Sequence, residues 1–299
     1  MADGTTAQPA KRREIVNAVL DSRRWNDFSF RDDDIVIATW AKSGTTLTQQ
    51  IVAQLVLGGA DDVYGQAVSP WLDFRFVPAA DVLAMADAQK HRRLLKTHLP
   101  VDALVFDPRA KYVFIGRDVR DVYWSWHHHH SLFTEAAYAI MNPPDRTWQE
   151  FPRADPNIRR GYHEFLDRDG WPFIPFWSHV QSWWNIRGLP NVMLLHFNRL
   201  QSDLPGAVRD VAAFLRIEAT DALVSKVLTH STIDWMRQAS KSFPYLEVVF
   251  EGGGANFINK GTNGRWRDVL SPEEVAKADH CAARNLTPDC AHWLKTGER

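Results

Sequence analysis

The chain has 299 residues, 45% of them hydrophobic and 24% charged, with a formal net charge of −1. That size suits one large α/β domain. The near-neutral balance excludes a general attraction to nucleic acid or to an anionic membrane, so any anion site must be local.

The opening residues lack the apolar stretch of a signal peptide, and no run approaches the ~18 apolar residues of a membrane helix. Cys281 and Cys290 lack the partner spacing of a zinc site and read as free thiols. A soluble cytoplasmic protein is therefore expected. Thirteen tryptophans and sixteen phenylalanines exceed what a core of this size needs, and such a surplus often lines an apolar pocket.

In chain order, residues 1–10 read as a disordered lead-in and 11–20 as a short helix. Residues 32–34 form a turn. Ile35, Val36, Ile37 and Ala38 open a buried strand that runs to Trp40. After Ala41, Lys42, Ser43, Gly44, Thr45 and Thr46, apolar residues recur at helical spacing through Leu47, Ile51, Leu55 and Val56 until Gly58 and Gly59 stop the helix. A strand, a short loop with lysine, glycine and hydroxyls, then a helix aims backbone N–H groups and the helix dipole at an anion, most naturally a phosphate. The loop stands where a P-loop would, but GxxxxGK[ST] is absent and the lysine precedes the glycine.

Residues 69–76 are crowded with aromatics in neither periodicity and form a core-covering loop or a pocket wall. A helix over 81–91 leads to a strand over 93–98 and a very apolar strand over 111–116. Asp118 caps a helix running to about Phe133. Residues 141–175, rich in proline and aromatics, read as an irregular, lid-like excursion. A helix over 177–186, a fourth strand over 191–197 and helices over 206–215 and 221–228 follow. Residues 252–266 read as flexible, and Ser271 and Pro272 start a final helix. Strands alternating with helices give one domain over 1–299, a parallel sheet with helices on both faces. Ligands bind such sheets at the C-terminal strand ends, where Lys42, His98 and Arg117 fall.

Lys96 and His98 share one face at a strand end, and neutral imidazole at pH 7 suits a general base. Arg117 and Ser125, eight apart, suit a second phosphate. Four successive histidines, His127 to His130, point four ways on a helix and lack accompanying carboxylates or thiolates, so a metal site is not expected. One or two of them face the acceptor pocket instead.

Lys42-Ser-Gly-Thr-Thr46, Lys96-Thr-His-Leu-Pro100, Arg117 with Ser125, and Lys260-Gly-x-x-Gly264-x-Trp266 occur in this order over residues 30–285. Together they resemble the signature set of the cytosolic sulfotransferases, which move a sulfuryl group from 3′-phosphoadenosine-5′-phosphosulfate (PAPS) to a hydroxyl or amine. The resemblance implies that Lys42, Ser43, Gly44, Thr45 and Thr46 hold the 5′-phosphosulfate. Arg117, Ser125, Lys260 and Gly261 would hold the 3′-phosphate, and Ser231, Ile233 and Met236 would touch the adenosine. His98 would be the general base, Lys42 would neutralise the bridging oxygen, and Lys96 would steady the sulfuryl oxygens, without a metal. Trp71, Phe74, Phe76, His127 and Phe133, with Phe165 and Trp171, would wall a pocket for a small hydrophobic or aromatic hydroxyl compound.

Ala41, Leu47, Phe197 and Asn259 depart from the usual proline, tryptophan, tyrosine and arginine, which points to a distant, bacterial member. The segment after Trp266 does not match the dimerisation motif of animal members, leaving monomer and homodimer both open. The alternatives are a nucleotide-binding module that has lost catalysis and a divergent P-loop kinase or NTPase. Retention of Lys42, Lys96 and His98 argues against the first, and the missing Walker loop against the second.

Overall fold

The computed structural model describes residues 8–299, so most of the expected lead-in lies outside the described residues. Four parallel strands form the sheet: β1 (Ile35–Thr39), β2 (Leu94–Thr97), β3 (Lys111–Gly116) and β4 (Val192–His196), in the order β2-β1-β3-β4. Val36 stands beside Leu95 and Tyr112, and Ile37 beside Lys96 and Val113. Successive side chains point to opposite faces, which explains why these strands are apolar throughout. Ile35, Ile37, Val113 and Ile115 pack on one face with α1 (Thr45–Val56) and the helices Leu204–Leu215 and Asp221–His230. Val36, Ala38, Tyr112 and Phe114 pack on the other against the tryptophan-rich helices Val119–His130 and Phe176–Asn185.

The sheet's entry edge is fastened by a buried ion pair. Arg93 just before β2 donates to both carboxylate oxygens of Asp34 just before β1, at 3.0 and 2.6 Å, with both side chains 1% exposed. Two further donors reach Asp87 Oδ1 at 2.9 Å and the Ser29 carbonyl at 2.7 Å, so four of the five N–H groups are engaged.

Three segments differ from the sequence expectation. Residues 11–20 are not a helix. The Asn17 carboxamide oxygen accepts from the N–H groups of Val19 and Leu20 at 2.9 and 2.8 Å, a side-chain turn that competes with helix, and Leu20 bridges to Phe74. Residues 141–175 contain the helix Ile158–Asp167, whose N-terminus is capped by Asn157. Residues 252–266 contain the short helix Gly253–Phe257. Helices Ile233–Ser240, Pro244–Val249 and Pro288–Thr296 were not anticipated. The final expected helix begins as read, with Ser271 and Glu274 forming a reciprocal capping box.

Candidate active site

Trp40, fully buried, anchors the end of β1 among Trp126, Phe165, Phe173 and Phe176, each ring 5.4–5.5 Å away. The chain then turns through two left-handed residues, Lys42 at φ 68° and Gly44 at φ 112°. A side chain at Gly44 would place its Cβ 2.7 Å from the Phe197 ring, so the turn demands glycine for space as well as for φ. The first helical bond runs from Thr48 N to the Gly44 carbonyl at 3.0 Å. The N–H groups of Thr45, Thr46 and Leu47 therefore remain free at the positive helix pole.

At the end of β2, His98 Nδ1 lies 2.7 Å from the Thr39 carbonyl. A carbonyl only accepts, so Nδ1 carries the hydrogen and Nε2 presents a lone pair. Trp71 and Phe173 hold the ring edge-on at 4.7 and 5.8 Å. Burial, followed by the charge of Lys96, pushes the imidazole well below its ordinary pKa and keeps it neutral.

The Lys96 ammonium sits 3.9 Å from the Trp71 ring centre. Burial lowers its pKa to about 7, opposed only by Asp73. Lys42 is likewise lowered to about 7, first by burial and then by Lys96, Arg117 and Arg265. Asp73 is buried, accepts from Trp25 Nε1 at 3.0 Å and Trp71 Nε1 at 2.7 Å, and is raised by burial.

Arg117 uses three of its five N–H groups on Asn263 Oδ1 and the carbonyls of Lys42 and Thr262, at 2.9, 2.9 and 3.0 Å. Two remain for a ligand. The guanidinium lies 4.3 Å from the Phe197 ring centre.

A dianion held between Lys42 and Lys96 must raise both pKa values. At pH 8, where both amines are mostly neutral in the free protein, binding of 3′-phosphoadenosine-5′-phosphate (PAP) is expected to take up more than half a proton. At pH 6, where both are already charged, uptake should vanish. Titration calorimetry in buffers of different ionisation enthalpy measures this, and zero uptake at pH 8 would exclude a phosphate near these lysines.

These groups share one cavity of about 590 Å³. It is lined by Lys42, Gly44, Thr45, Thr46, Lys96, His98, Arg117, Ser125, Ser231, Ile233, Met236 and Gly261, all anticipated from the sequence. Ser43 is buried beside the cavity rather than lining it, and Lys260 is exposed outside it, with Asn259 and Gly261 on either side taking its place. Of the expected wall, Trp71, Phe74, Phe76 and Phe133 line the cavity. Phe165 instead packs beneath Trp40, and Trp171 lies against Arg168. His127 also faces elsewhere, Nε2 donating to the Asp155 carbonyl at 2.7 Å, and His129 faces the cavity instead. The helix's rotation, set by packing, decides which of the four histidines points in.

Sequence reading missed Phe173, Tyr245, Phe250 and Phe257, which complete the apolar half, and Gln201 and Thr232 at the polar end. These come from segments far apart in the chain with no shared spacing. Among the described residues, Ser231 Oγ and Asn259 Nδ2 are buried without a hydrogen-bond partner, and both belong to cavity-lining residues. Such groups are costly unless a ligand satisfies them, so this end suits a polar, nucleotide-like molecule. No cluster of three metal-ligating side chains occurs among the described residues.

The sequence profile of the sulfotransferase domain matches residues 32–288. A glycolipid sulfotransferase of Mycobacterium bovis is 32% identical over 97% of both chains. A sulfotransferase 1 family member of rat is 26% identical over 89% of this chain and 90% of its own. Retinol dehydratase, solved with retinol and PAP, superposes with a TM-score of 0.70 at 22% identity, covering 89% of this chain and 84% of its own. A mouse sulfotransferase solved with PAP gives 0.69 at 18%, covering 93% of each. The domain match and the 32% relative, over a four-stranded parallel sheet that carries the lysine loop and the histidine at its strand ends, establish that this chain belongs to the sulfotransferase family.

Proposed function

We propose that the protein transfers a sulfuryl group from PAPS to a hydroxyl of a hydrophobic or aromatic acceptor, with His98 as general base. The observation that carries this reading is the tether from His98 Nδ1 to the Thr39 carbonyl. It fixes the tautomer with a basic Nε2, in the one cavity that also holds Lys42 and Lys96.

PAPS supplies the sulfuryl group when bound. His98 Nε2 takes the acceptor's proton as the acceptor oxygen becomes nucleophilic. Lys42 and the free N–H groups at the start of α1 balance negative charge on the phosphate side, and Lys96 balances it on the sulfuryl side. Arg117 and Ser125 fix the 3′-phosphate, and Ser231 and Asn259 give the nucleoside its buried partners. Most of the catalysis is positioning plus fixed positive charge in a partly dry site. The apolar half suits a phenol or a hydrophobic alcohol. A glycolipid, the acceptor class named for the mycobacterial relatives, has both a hydroxyl-bearing head and an apolar body.

Calorimetric titration with PAP in the absence of metal, with ATP as control, tests the donor site. PAP should bind far more tightly than ATP, and Arg117→Ala should weaken PAP by about 100-fold through loss of a buried charge partner. Equal binding of ATP and PAP, or no effect of Arg117→Ala, would overturn this assignment.

A further inference from the structure

The acceptor side of the cavity contains a second imidazole that the proposed mechanism does not use. His129 lies on the helix Val119–His130, enclosed by Phe250, Phe133 and Phe257 at ring distances of 4.6, 5.2 and 5.7 Å. It lines the cavity, and its Nδ1 lies 3.2 Å from Lys42 Nζ. His127 and His130 are tied to the carbonyls of Asp155 and Pro152, so they are outside this arrangement.

At pH 6, where Lys42 is charged, the ammonium has donors only, so His129 Nδ1 is the acceptor. A neutral imidazole that accepts at Nδ1 carries its hydrogen at Nε2. Burial, followed by the charge of Lys42, keeps His129 neutral. The two imidazoles are therefore fixed as opposite tautomers by opposite neighbours. His98, held by a carbonyl, offers a lone pair, and His129, held by an ammonium, offers an N–H. Nε2 of neither ring has a hydrogen-bond partner among the described residues.

The N–H of His129 opens onto the cavity among three phenylalanines, where an oxygen of a bound acceptor can take it up in place of water. His98 and His129 line the same cavity, each set against aromatic rings of its apolar half. Under the function proposed above, on which this inference rests, an acceptor seated against these rings meets both imidazoles. We propose that His129 selects acceptors carrying a second oxygen vicinal to the reacting hydroxyl. The reacting hydroxyl donates to His98 Nε2 while its neighbour accepts from His129 Nε2–H. Catechols and sugar rings share this vicinal pair.

The test measures acceptor binding by calorimetry, with and without saturating PAP, using two matched pairs. One pair is 4-octylcatechol against 4-octylphenol. The other is octyl 4,6-dideoxyglucoside, whose C2 and C3 hydroxyls are vicinal, against its 2-deoxy analogue, which keeps the C3 hydroxyl alone. The native protein should bind the vicinal member of at least one pair about tenfold more tightly, the worth of one hydrogen bond made in an apolar wall. Preference in the first pair alone identifies an aromatic diol as the source, and in the second alone a sugar.

His129→Phe, which fits the surrounding rings, should bring that ratio to about one. His129→Gln, which keeps an N–H where Nε2 stands, should retain most of it. No preference in the native protein, or a preference that survives in His129→Phe, overturns the proposal. Failure of PAP to bind would instead count against the donor assignment, because the nucleotide-free titrations still report on His129.

Discussion

Replacing His98 with Asn is expected to lower kcat by about 10³-fold while changing the PAP dissociation constant less than about twofold. Asn keeps an N–H where Nδ1 now meets the Thr39 carbonyl, so the local tether survives and the basic nitrogen is removed. Because burial holds His98 neutral well below pH 6.5, the acid limb of kcat in the native enzyme should lie below that pH and disappear in the variant. On the alkaline side, kcat/KM should fall from about pH 7 upward as free Lys42 and Lys96 lose their protons. Native-like kcat in His98→Asn would remove His98 as the base. A loss of PAP binding in the same variant would assign it to the donor site.

Arg93→Met is expected to destabilise the fold by about 3–5 kcal/mol, the range for removing one partner of a buried ion pair. Methionine fills much of the aliphatic volume, so the cost falls on Asp34, which is 1% exposed and loses both guanidinium contacts. Asp34 keeps one donor, the Arg31 N–H at 2.8 Å, which does not neutralise its charge. For a chain of this length the loss corresponds to a drop of roughly 10 °C in Tm. Replacing both partners together, Asp34→Asn with Arg93→Met, should recover part of it. A single variant within about 1 kcal/mol of native would show that water reaches Asp34.

The strand, loop and helix around Lys42 were legible because one stretch combines a β-branched run, a glycine that tolerates left-handed backbone and a helical apolar repeat. Lys96, His98 and Arg117 were legible because a parallel sheet gathers its strand ends on one edge. The acceptor wall was only half legible. Trp71, Phe74 and Phe76 sit on one short loop, whereas Phe173, Tyr245, Phe250 and Phe257 reach the cavity from separate segments. His127 and His129 are indistinguishable in the sequence, because four adjacent histidines differ only by helix rotation, which tertiary packing sets. Residues 11–20 depart from helix because the Asn17 side chain binds the backbone ahead of it, a local bond with no periodic signature. Lys260 drew attention by its charge, yet its uncharged neighbours Asn259 and Gly261 line the cavity.

Phe197 touches both anion-holding elements at once. Its edge occupies the space a side chain at position 44 would need, and its face carries the Arg117 guanidinium. Positions 44, 117 and 197 consequently form a single heritable unit. A larger residue at 44 needs the ring at 197 to shrink and still bears the strain of φ 112°, and shrinking that ring loosens Arg117 in the same step. Substitution effects at the three positions will not add.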